Sequence, residues 1–189
     1  MERRICIDPG HGGADTGVIA FGLEEKEICL DIACRVREYL SMQGVEGRLT
    51  RSEDVALTWL ERARRAEEFE AEVMISLHLS GSSDHQDSGF ESYIGGCAGL
   101  TERSLQSWLH NHIAAFFRPF GIWDRGKKYD STGAFPLLDE AVCPVIQLQL
   151  FFLTHPEEKR WCRHRPFREA LAYAIAEGAI ALLQQKSVK

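Results

Sequence analysis

The length, composition and charge of this chain exclude several classes of protein. With 189 residues, of which 44% are hydrophobic and 26% charged, the chain can bury one sizeable core, so we expect a single folded domain over residues 1–189. The formal net charge of -6 argues against nucleic acid as a partner, because contacts to phosphates need an excess of positive charge.

Segments that cross or target a membrane are not evident in the sequence. No apolar run approaches the ~20 residues that a membrane-spanning helix needs, and the run 171–183 is interrupted by Glu177 and Gly178. The amino terminus lacks the longer apolar segment and the small-residue cleavage site of a secretory signal. We therefore expect no membrane span, and the sequence itself leaves the location of the protein open.

Short apolar runs alternate with helical periods along the chain, which favours a parallel sheet covered by helices. Predicted strands lie at residues 4–8, 45–50, 73–80, 90–94 and 145–150, and predicted helices at 24–41, 57–69, 101–117 and 166–185. We therefore predict an α/β fold in a single domain, with a mostly parallel, twisted sheet and helices on both of its faces.

Three residues with metal-binding side chains lie where a site is expected in such a fold. The first strand opens into the glycine-rich loop Pro9-Gly10-His11-Gly12-Gly13, and Glu25 lies at the start of the helix that follows. Strand side chains alternate between faces, so His78 falls on the polar face of its strand. Because binding groups gather at the carboxyl ends of strands in open α/β sheets, we expect these residues to lie close together.

Two imidazoles and one carboxylate form a set of ligands that suits zinc. Catalytic zinc sites use three protein ligands and leave one position open for water or substrate. Each residue also has an ordinary structural explanation: His11 as a turn residue, His78 as a core histidine, and Glu25 as a charge that favours the helix dipole. The spacing alone leaves both explanations open.

Several separated segments resemble one enzyme family. The segments are Ile5-Cys6-Ile7-Asp8-Pro9-Gly10-His11-Gly12-Gly13, then Glu25-Lys26-Glu27 leading into Leu30, Thr50-Arg51 with Asp54, Arg62, Ile75-Ser76-Leu77-His78, and Arg125-Gly126. In this order they resemble the zinc-dependent N-acetylmuramoyl-L-alanine amidases of the third amidase class, which include cell-wall autolysins and the catalytic domains of phage endolysins. The resemblance spans nearly the whole chain.

The resemblance implies a function, a cofactor and a substrate. Residues 1–189 would form a zinc amidase catalytic domain in which His11, Glu25 and His78 bind one zinc ion (Zn2+). The enzyme would hydrolyse the amide between N-acetylmuramic acid and L-alanine, so its partner would be peptidoglycan or a muropeptide. Action outside the cell or in the cell envelope is implied as well, and we expect the protein to be a monomer.

The chain departs from the family at the position of the general base. The family has a glutamate five residues after the proline that precedes its last strand, whereas Pro144 is followed at that distance by Gln149. An amide has nearly the shape of a carboxylate but does not accept a proton at neutral pH. We therefore expect hydrolysis to be weakened or lost.

Three explanations of Gln149 stay open. It is an engineered replacement that traps substrate, a natural departure in a protein with weakened catalysis, or a sign that another carboxylate acts as the base. The carboxylates that the sequence offers for this role are Glu24, Asp139 and Glu140. The alternative function is a catalytically dead peptidoglycan-binding or regulatory module on the same scaffold.

Other polar residues near these segments are also candidates for the site. Gln147 and Gln149 project from the same face of their strand, so either this face borders a cleft or backbone groups satisfy a buried pair of amides. Ser80 occupies a position where the family often has asparagine. We predict that Ser80 and Arg125 bind substrate.

Overall fold

A six-stranded sheet runs through the centre of the computed structural model, which describes residues 3–186. The strands, including those of a separate two-stranded hairpin, are β1 (Arg4–Pro9), β2 (Ile19–Ala20), β3 (Leu23–Glu24), β4 (Glu46–Leu49), β5 (Val73–Ser80), β6 (Phe90–Gly95), β7 (Asp124–Asp130) and β8 (Val145–Phe152). The helices are α1 (Glu25–Met42), α2 (Trp59–Glu68), α3 (Leu100–Phe117), α4 (Leu137–Glu140), α5 (Lys159–Arg163) and α6 (Arg165–Lys186), with a 3-10 turn at Arg118–Phe120.

The order of the strands confirms the predicted α/β architecture. The sheet has the order β4-β1-β5-β8-β6-β7, and β2 pairs with β3 apart from it. All pairs of neighbours in the sheet are parallel except β6 with β8, which is antiparallel. The carboxyl ends of β1, β5 and β8 therefore lie together at one edge, where the predicted site residues follow.

One face of the sheet packs against α1, α3 and α6 and forms the larger core. The apolar residues of α1 at helical spacing, Ile28, Ile32, Val36 and Leu40, are all buried in this core. On the sheet side, alternate residues such as Ile5, Ile7, Ile75 and Leu77 are fully buried in the same cluster. Burial of each such side chain contributes about 1.5–3 kcal/mol, so this face anchors the strands.

The opposite face changes from apolar to polar along the strands. Near the amino ends of the strands, α2 and α4 cover Cys6, Met74 and Val145 in a second apolar cluster. Two residues further along the same face come Asp8, Ser76 and Gln147, which are paired in register across β1, β5 and β8. Helices thus cover both faces, as predicted, but the polar half of this face stays open to a cleft.

Some elements differ from the sequence-based expectation. β7 was not predicted, because it is an edge strand with mostly polar side chains and lacks the alternation of a half-buried strand. α2 begins at Trp59 rather than at residue 57, since the Thr58 side chain accepts from the Glu61 backbone and forms a capping box there. Within residues 3–186, none of the helices combines the length and apolar character that crossing a bilayer requires.

Candidate metal centre

The loop after β1 holds His11 in an unusual backbone conformation. Its φ of 59° lies in the left-handed region, which costs a residue with a Cβ about 1–2 kcal/mol. Arg62 stabilises this conformation, because its Nη2 donates to the His11 carbonyl at 2.7 Å. Arg51 donates to the carbonyls of Pro9 at 3.0 Å and Gly10 at 2.8 Å. Two buried guanidinium groups therefore fix the loop that presents the histidine.

Asp8 fixes Arg62 beneath the loop. The Asp8 carboxylate is fully buried and accepts from Arg62 Nη1 at 2.7 Å, Thr50 Oγ1 at 2.5 Å and Ser76 Oγ at 2.7 Å. Burial by itself raises the pKa of this carboxyl, but the charge of Arg62 and the three hydrogen bonds hold the pKa below its usual value. Asp8 is therefore an ionised support for the loop.

His11, Glu25 and His78, which we call the ligand cluster, bring three ligand atoms to one point. Oε1 of Glu25 lies 3.1 Å from Nε2 of His11 and 3.1 Å from Nδ1 of His78, and the two nitrogens are 3.2 Å apart. Tetrahedral zinc with bonds near 2.0–2.2 Å separates its ligand atoms by about 3.3 Å. The three atoms thus have the spacing of one face of a zinc tetrahedron, and these side chains fit the ion.

Hydrogen bonds orient the members of the ligand cluster. Nδ1 of His11 lies 2.9 Å from Oδ2 of Asp15, which leaves Nε2 to face the cluster. The Glu25 carboxylate, only 1% exposed, accepts from the backbone N–H of Val18 at 2.9 Å and of Leu79 at 2.8 Å. Burial opposes its ionisation, but hydrogen bonds from His11 and His78 hold the pKa of Glu25 well below its usual range.

Two glycines give the ligand side chains the space they need. A Cβ at Gly10 would lie 2.3 Å from Cε1 of His78, and a Cβ at Gly17 would lie 2.6 Å from Oε2 of Glu25. Such separations are far below van der Waals contact. Any larger residue at either position would displace a ligand, so the glycines shape the site as well as the loop.

The ligand cluster opens into a cleft of about 670 Å³ at the carboxyl ends of the strands. Trp59, Phe135, Gln147 and Gln149 line this cleft together with the members of the cluster. Of the two explanations that the sequence left open for this face of β8, the structure supports the cleft. Pockets of this size with apolar walls and a few convergent polar groups are typical of sites for small ligands.

Gln149 lies next to the ligand cluster. It is paired in register with His78 on the neighbouring strand β5, is 8% exposed, and lines the cleft. Oγ of Ser80 donates to its side-chain oxygen at 3.2 Å. The amide therefore lies beside the ligand cluster, and Ser80 contacts it rather than lining the cleft. The role of Gln149 at the position of the general base stays a prediction. The role of Ser80 in binding substrate stays a prediction.

The alternative bases that the sequence offered lie elsewhere. None of Glu24, Asp139 and Glu140 is among the residues of 3–186 that line the cleft. Carboxylates do line it within the described residues, but each already supports the site: Asp8, Asp15 and Glu25. The cleft thus offers no uncommitted carboxylate from the described part of the chain.

Arg125 lies within β7, outside the described residues that line the cleft. Its Nε donates to Glu91 at 3.2 Å, and its guanidinium stacks 5.0 Å from the centre of the Phe152 ring. Lys128 contacts the same Glu91 carboxylate at 2.7 Å. Because the guanidinium is held in this network, binding of substrate by Arg125 stays a prediction.

Sequence reasoning missed a second polar cluster, Ser92, His110 and Asp124, which we call the His110 cluster. Nδ1 of His110 lies 2.9 Å from Oγ of Ser92, and Nε2 lies 2.9 Å from Oδ1 of Asp124. The order of these groups is that of a catalytic triad, but Ser92 is fully buried between the sheet and α3, so its hydroxyl does not reach solvent. The sequence signal was weak, since the three residues are far apart in the chain.

Comparison with known proteins assigns the chain to a family. A family model described as N-acetylmuramoyl-L-alanine amidase matches residues 5–181. The chain belongs to this family of hydrolases. Its membership confirms the resemblance to the third amidase class and places the ligand cluster in an enzyme family that cleaves an amide of the cell wall.

Three relatives illustrate how far the similarity extends. The endolysin of Bacillus phage SPP1 is 30% identical over 189 residues, covering 98% of this chain and 68% of that protein. The amidase LytC of Bacillus subtilis is 30% identical over 186 residues, but the chain spans only 36% of its length. A crystal structure of an N-acetylmuramoyl-L-alanine amidase from Clostridium difficile 630 has a TM-score of 0.90 and 27% identity, with 98% of each chain covered.

Proposed function

We propose that this chain is a zinc-dependent N-acetylmuramoyl-L-alanine amidase whose hydrolysis of peptidoglycan is slowed by Gln149. The observation that carries the proposal is the convergence of His11 Nε2, Glu25 Oε1 and His78 Nδ1, separated by 3.1–3.2 Å, in the lining of an open cleft. Three protein ligands beside open space are the arrangement of a catalytic rather than a structural zinc site.

When bound by the ligand cluster, zinc would act as a Lewis acid that polarises the scissile carbonyl and lowers the pKa of water. The residues of the chain supply orientation. Asp15 holds the ring of His11 through Nδ1, and the backbone of Val18 and Leu79 fixes the carboxylate of Glu25. A cluster oriented in this way loses little further freedom on binding substrate.

Gln149 positions a water or a substrate amide by hydrogen bonds but does not remove a proton. General-base assistance typically accelerates such steps ~10²- to 10⁴-fold, so its loss predicts a slow enzyme rather than an inert one. The carboxylates that line the cleft within residues 3–186 are committed to Arg62, His11 and the ligand cluster. We therefore expect no efficient substitute among them.

The substrate follows from the family, and the place of action follows from the substrate. We infer that the partner is peptidoglycan or a soluble muropeptide, and that the protein acts outside the cell or in the cell envelope, where this polymer is found. The walls of the cleft, with Trp59 and Phe135, offer apolar surface to such a ligand. A monomer suffices for this function, because the whole ligand cluster comes from one chain.

The test is hydrolysis of purified muropeptide by the zinc-loaded protein, followed by mass spectrometry of the released stem peptide. We expect slow release that a chelator abolishes and added zinc restores, and faster release by the Gln149→Glu variant. The competing function, a binding module without catalysis, predicts that muropeptide binds while the Gln149→Glu variant releases nothing. That outcome, with zinc bound at one ion per chain, would contradict the proposal.

A further inference from the structure

Two buried glutamines differ in how their amides are satisfied. Gln106 on α3 is 1% exposed, and its Nε2 donates to the carbonyls of Ser92 at 3.0 Å and Lys128 at 3.1 Å. Gln147 on β8 is 2% exposed, yet its Nε2 has no hydrogen-bond partner among residues 3–186. An unpaired buried donor destabilises the fold, so it calls for an explanation that Gln106 does not need.

The neighbours of Gln147 do not provide that partner. In register on the adjacent strands lie Ser76 and Tyr93, whose hydroxyls donate instead to Asp8 at 2.7 Å and to Glu91 at 3.0 Å. On the amino-terminal side of Gln147, the same face of the sheet is covered by the apolar residues of α2 and α4. A methionine or leucine would pack there without an unsatisfied donor, so packing does not account for an amide at this position.

Gln147 does have an open side, because it lines the same cleft as the ligand cluster. It lies two residues before Gln149 on β8, on the same face, and therefore about 6.6 Å along the strand. A half-turn about the last side-chain torsion exchanges the two ends of an amide, so the side chain can present its N–H to the cleft. The geometry thus places an uncharged donor two residues along β8 from Gln149, which lies beside the ligand cluster.

The missing partner is an acceptor, and the charges of the cleft favour an uncharged one. Arg62 is the one lysine or arginine among the described residues that line the cleft, and its guanidinium is bound to Asp8 and to backbone carbonyls. Apart from the zinc ion proposed at the ligand cluster, no free side-chain cation among these lining residues balances a carboxylate ligand beside Gln147. Carbonyls on one side of an extended peptide repeat every two residues, which matches the spacing between Gln147 and Gln149.

We propose that Gln147 is a substrate-binding residue whose side-chain N–H donates to an amide carbonyl of the substrate. This inference rests on the proposed function, since the cleft then receives peptidoglycan, whose stem peptide and N-acetyl groups both carry such carbonyls. Gln147 recognises the substrate at a point beside the reacting bond, whereas Gln149 faces the reacting bond itself.

The test compares zinc-loaded wild type with Gln147→Met and Gln147→Glu by calorimetric titration of a muropeptide. Both variants remove the N–H donors at nearly constant volume, so we expect affinity to fall ~3- to 10-fold, as for loss of one neutral hydrogen bond. Gln147→Met also removes the unpaired donor, and we expect Tm to rise by about 2–4 °C. The matched control, Gln106→Met, should lower Tm and leave affinity unchanged.

Titrations with the free stem peptide and with N-acetylmuramic acid locate the carbonyl. A loss of affinity by Gln147→Met for either ligand supports the inference and identifies the group that Gln147 contacts. Equal affinity of the variant and wild type for muropeptide overturns the inference and leaves the proposed function standing. A fall in the Tm of Gln147→Met as large as that of Gln106→Met also overturns the inference, because Gln147 would then have a structural role. Failure of wild type itself to bind muropeptide overturns both.

Discussion

The ligand cluster and the His110 cluster both pair imidazole with carboxylate, but their imidazole rings are oriented differently. Each joins imidazole to carboxylate at about hydrogen-bond distance, 3.1 Å between His78 and Glu25 and 2.9 Å between His110 and Asp124. The difference lies in the ring nitrogens. His110 uses both nitrogens on Ser92 and Asp124, whereas His11 and His78 each turn one nitrogen toward a common point.

Exposure separates the histidines of the two clusters as clearly as the direction of their ring nitrogens does. His110 is 1% exposed and stacks on Phe90 at 4.7 Å between ring centres, so it fills space in the core. The histidines of the ligand cluster are half-buried and line a cleft. A histidine beside a carboxylate thus indicates a candidate catalytic metal site only where several ligand atoms converge and leave one side open.

The largest effect that we expect comes from restoring a base beside the ligand cluster. Gln149→Glu places a carboxylate in the cleft, and general-base assistance should raise kcat for muropeptide hydrolysis ~10²- to 10⁴-fold. Release of stem peptide at saturating substrate measures this gain. Gln149→Met, which offers no base, should show none, and an unchanged kcat for Gln149→Glu with zinc bound would contradict the role given to this position.

The two carboxylates that hold histidine rings provide a direct contrast. Asp15→Ala removes the partner of His11 Nδ1, and loss of such a partner typically lowers metal affinity 10- to 100-fold. Asp124→Ala removes the partner of His110 Nε2 and should leave zinc affinity unchanged. Competition with a chromophoric chelator measures both. Equal losses in the two variants would remove the distinction between the clusters.

A smaller effect is expected on stability in the His110 cluster. Ser92→Ala leaves Nδ1 of the buried His110 without its partner at 2.9 Å, which should lower the free energy of unfolding by about 1–3 kcal/mol. Denaturant unfolding measures the change, and zinc affinity should remain that of wild type. A loss of zinc together with unchanged stability would show that this cluster has been misassigned.

The smallest expected effect is a dependence of stability on pH. Burial lowers the pKa of His110 despite the opposing effect of Asp124, so below about pH 6.5 the unfolded chain binds a proton that the folded chain does not. The free energy of unfolding is therefore highest, as far as His110 is concerned, above about pH 6.5. It falls by at most about 1.4 kcal/mol per pH unit as the pH drops toward the lower pKa of His110 in the folded chain. Unfolding of His110→Gln at pH 7.5 and about pH 5.5 should show a smaller difference than wild type.

Local patterns in the sequence predicted much of the fold and the position of the ligands. The alternation in β5 puts His78 on the polar face, and the glycine loop after β1 carries His11 to the same edge of the sheet. Both positions follow from patterns within a few residues of each histidine. The charged edge strand β7 was not predicted from the sequence, because its side chains do not alternate in burial as those of a half-buried strand do.

The supports of the site could not be predicted in the same way, because they join distant parts of the chain. Arg62 reaches the His11 carbonyl across 51 positions, and Arg51 reaches Pro9 across 42. The resemblance identified these arginines as shared residues without saying what they hold. Asp15, four residues after His11, is close enough in sequence that the histidine–carboxylate spacing could have indicated it.

Anomalous diffraction from crystals of the zinc-loaded protein, measured at the zinc absorption edge, tests the metal centre most directly. We predict one strong peak per chain within about 2.0–2.2 Å of His11 Nε2, Glu25 Oε1 and His78 Nδ1, with an open coordination position toward the cleft. A peak elsewhere, or no peak between these three side chains at saturating zinc, would contradict the account.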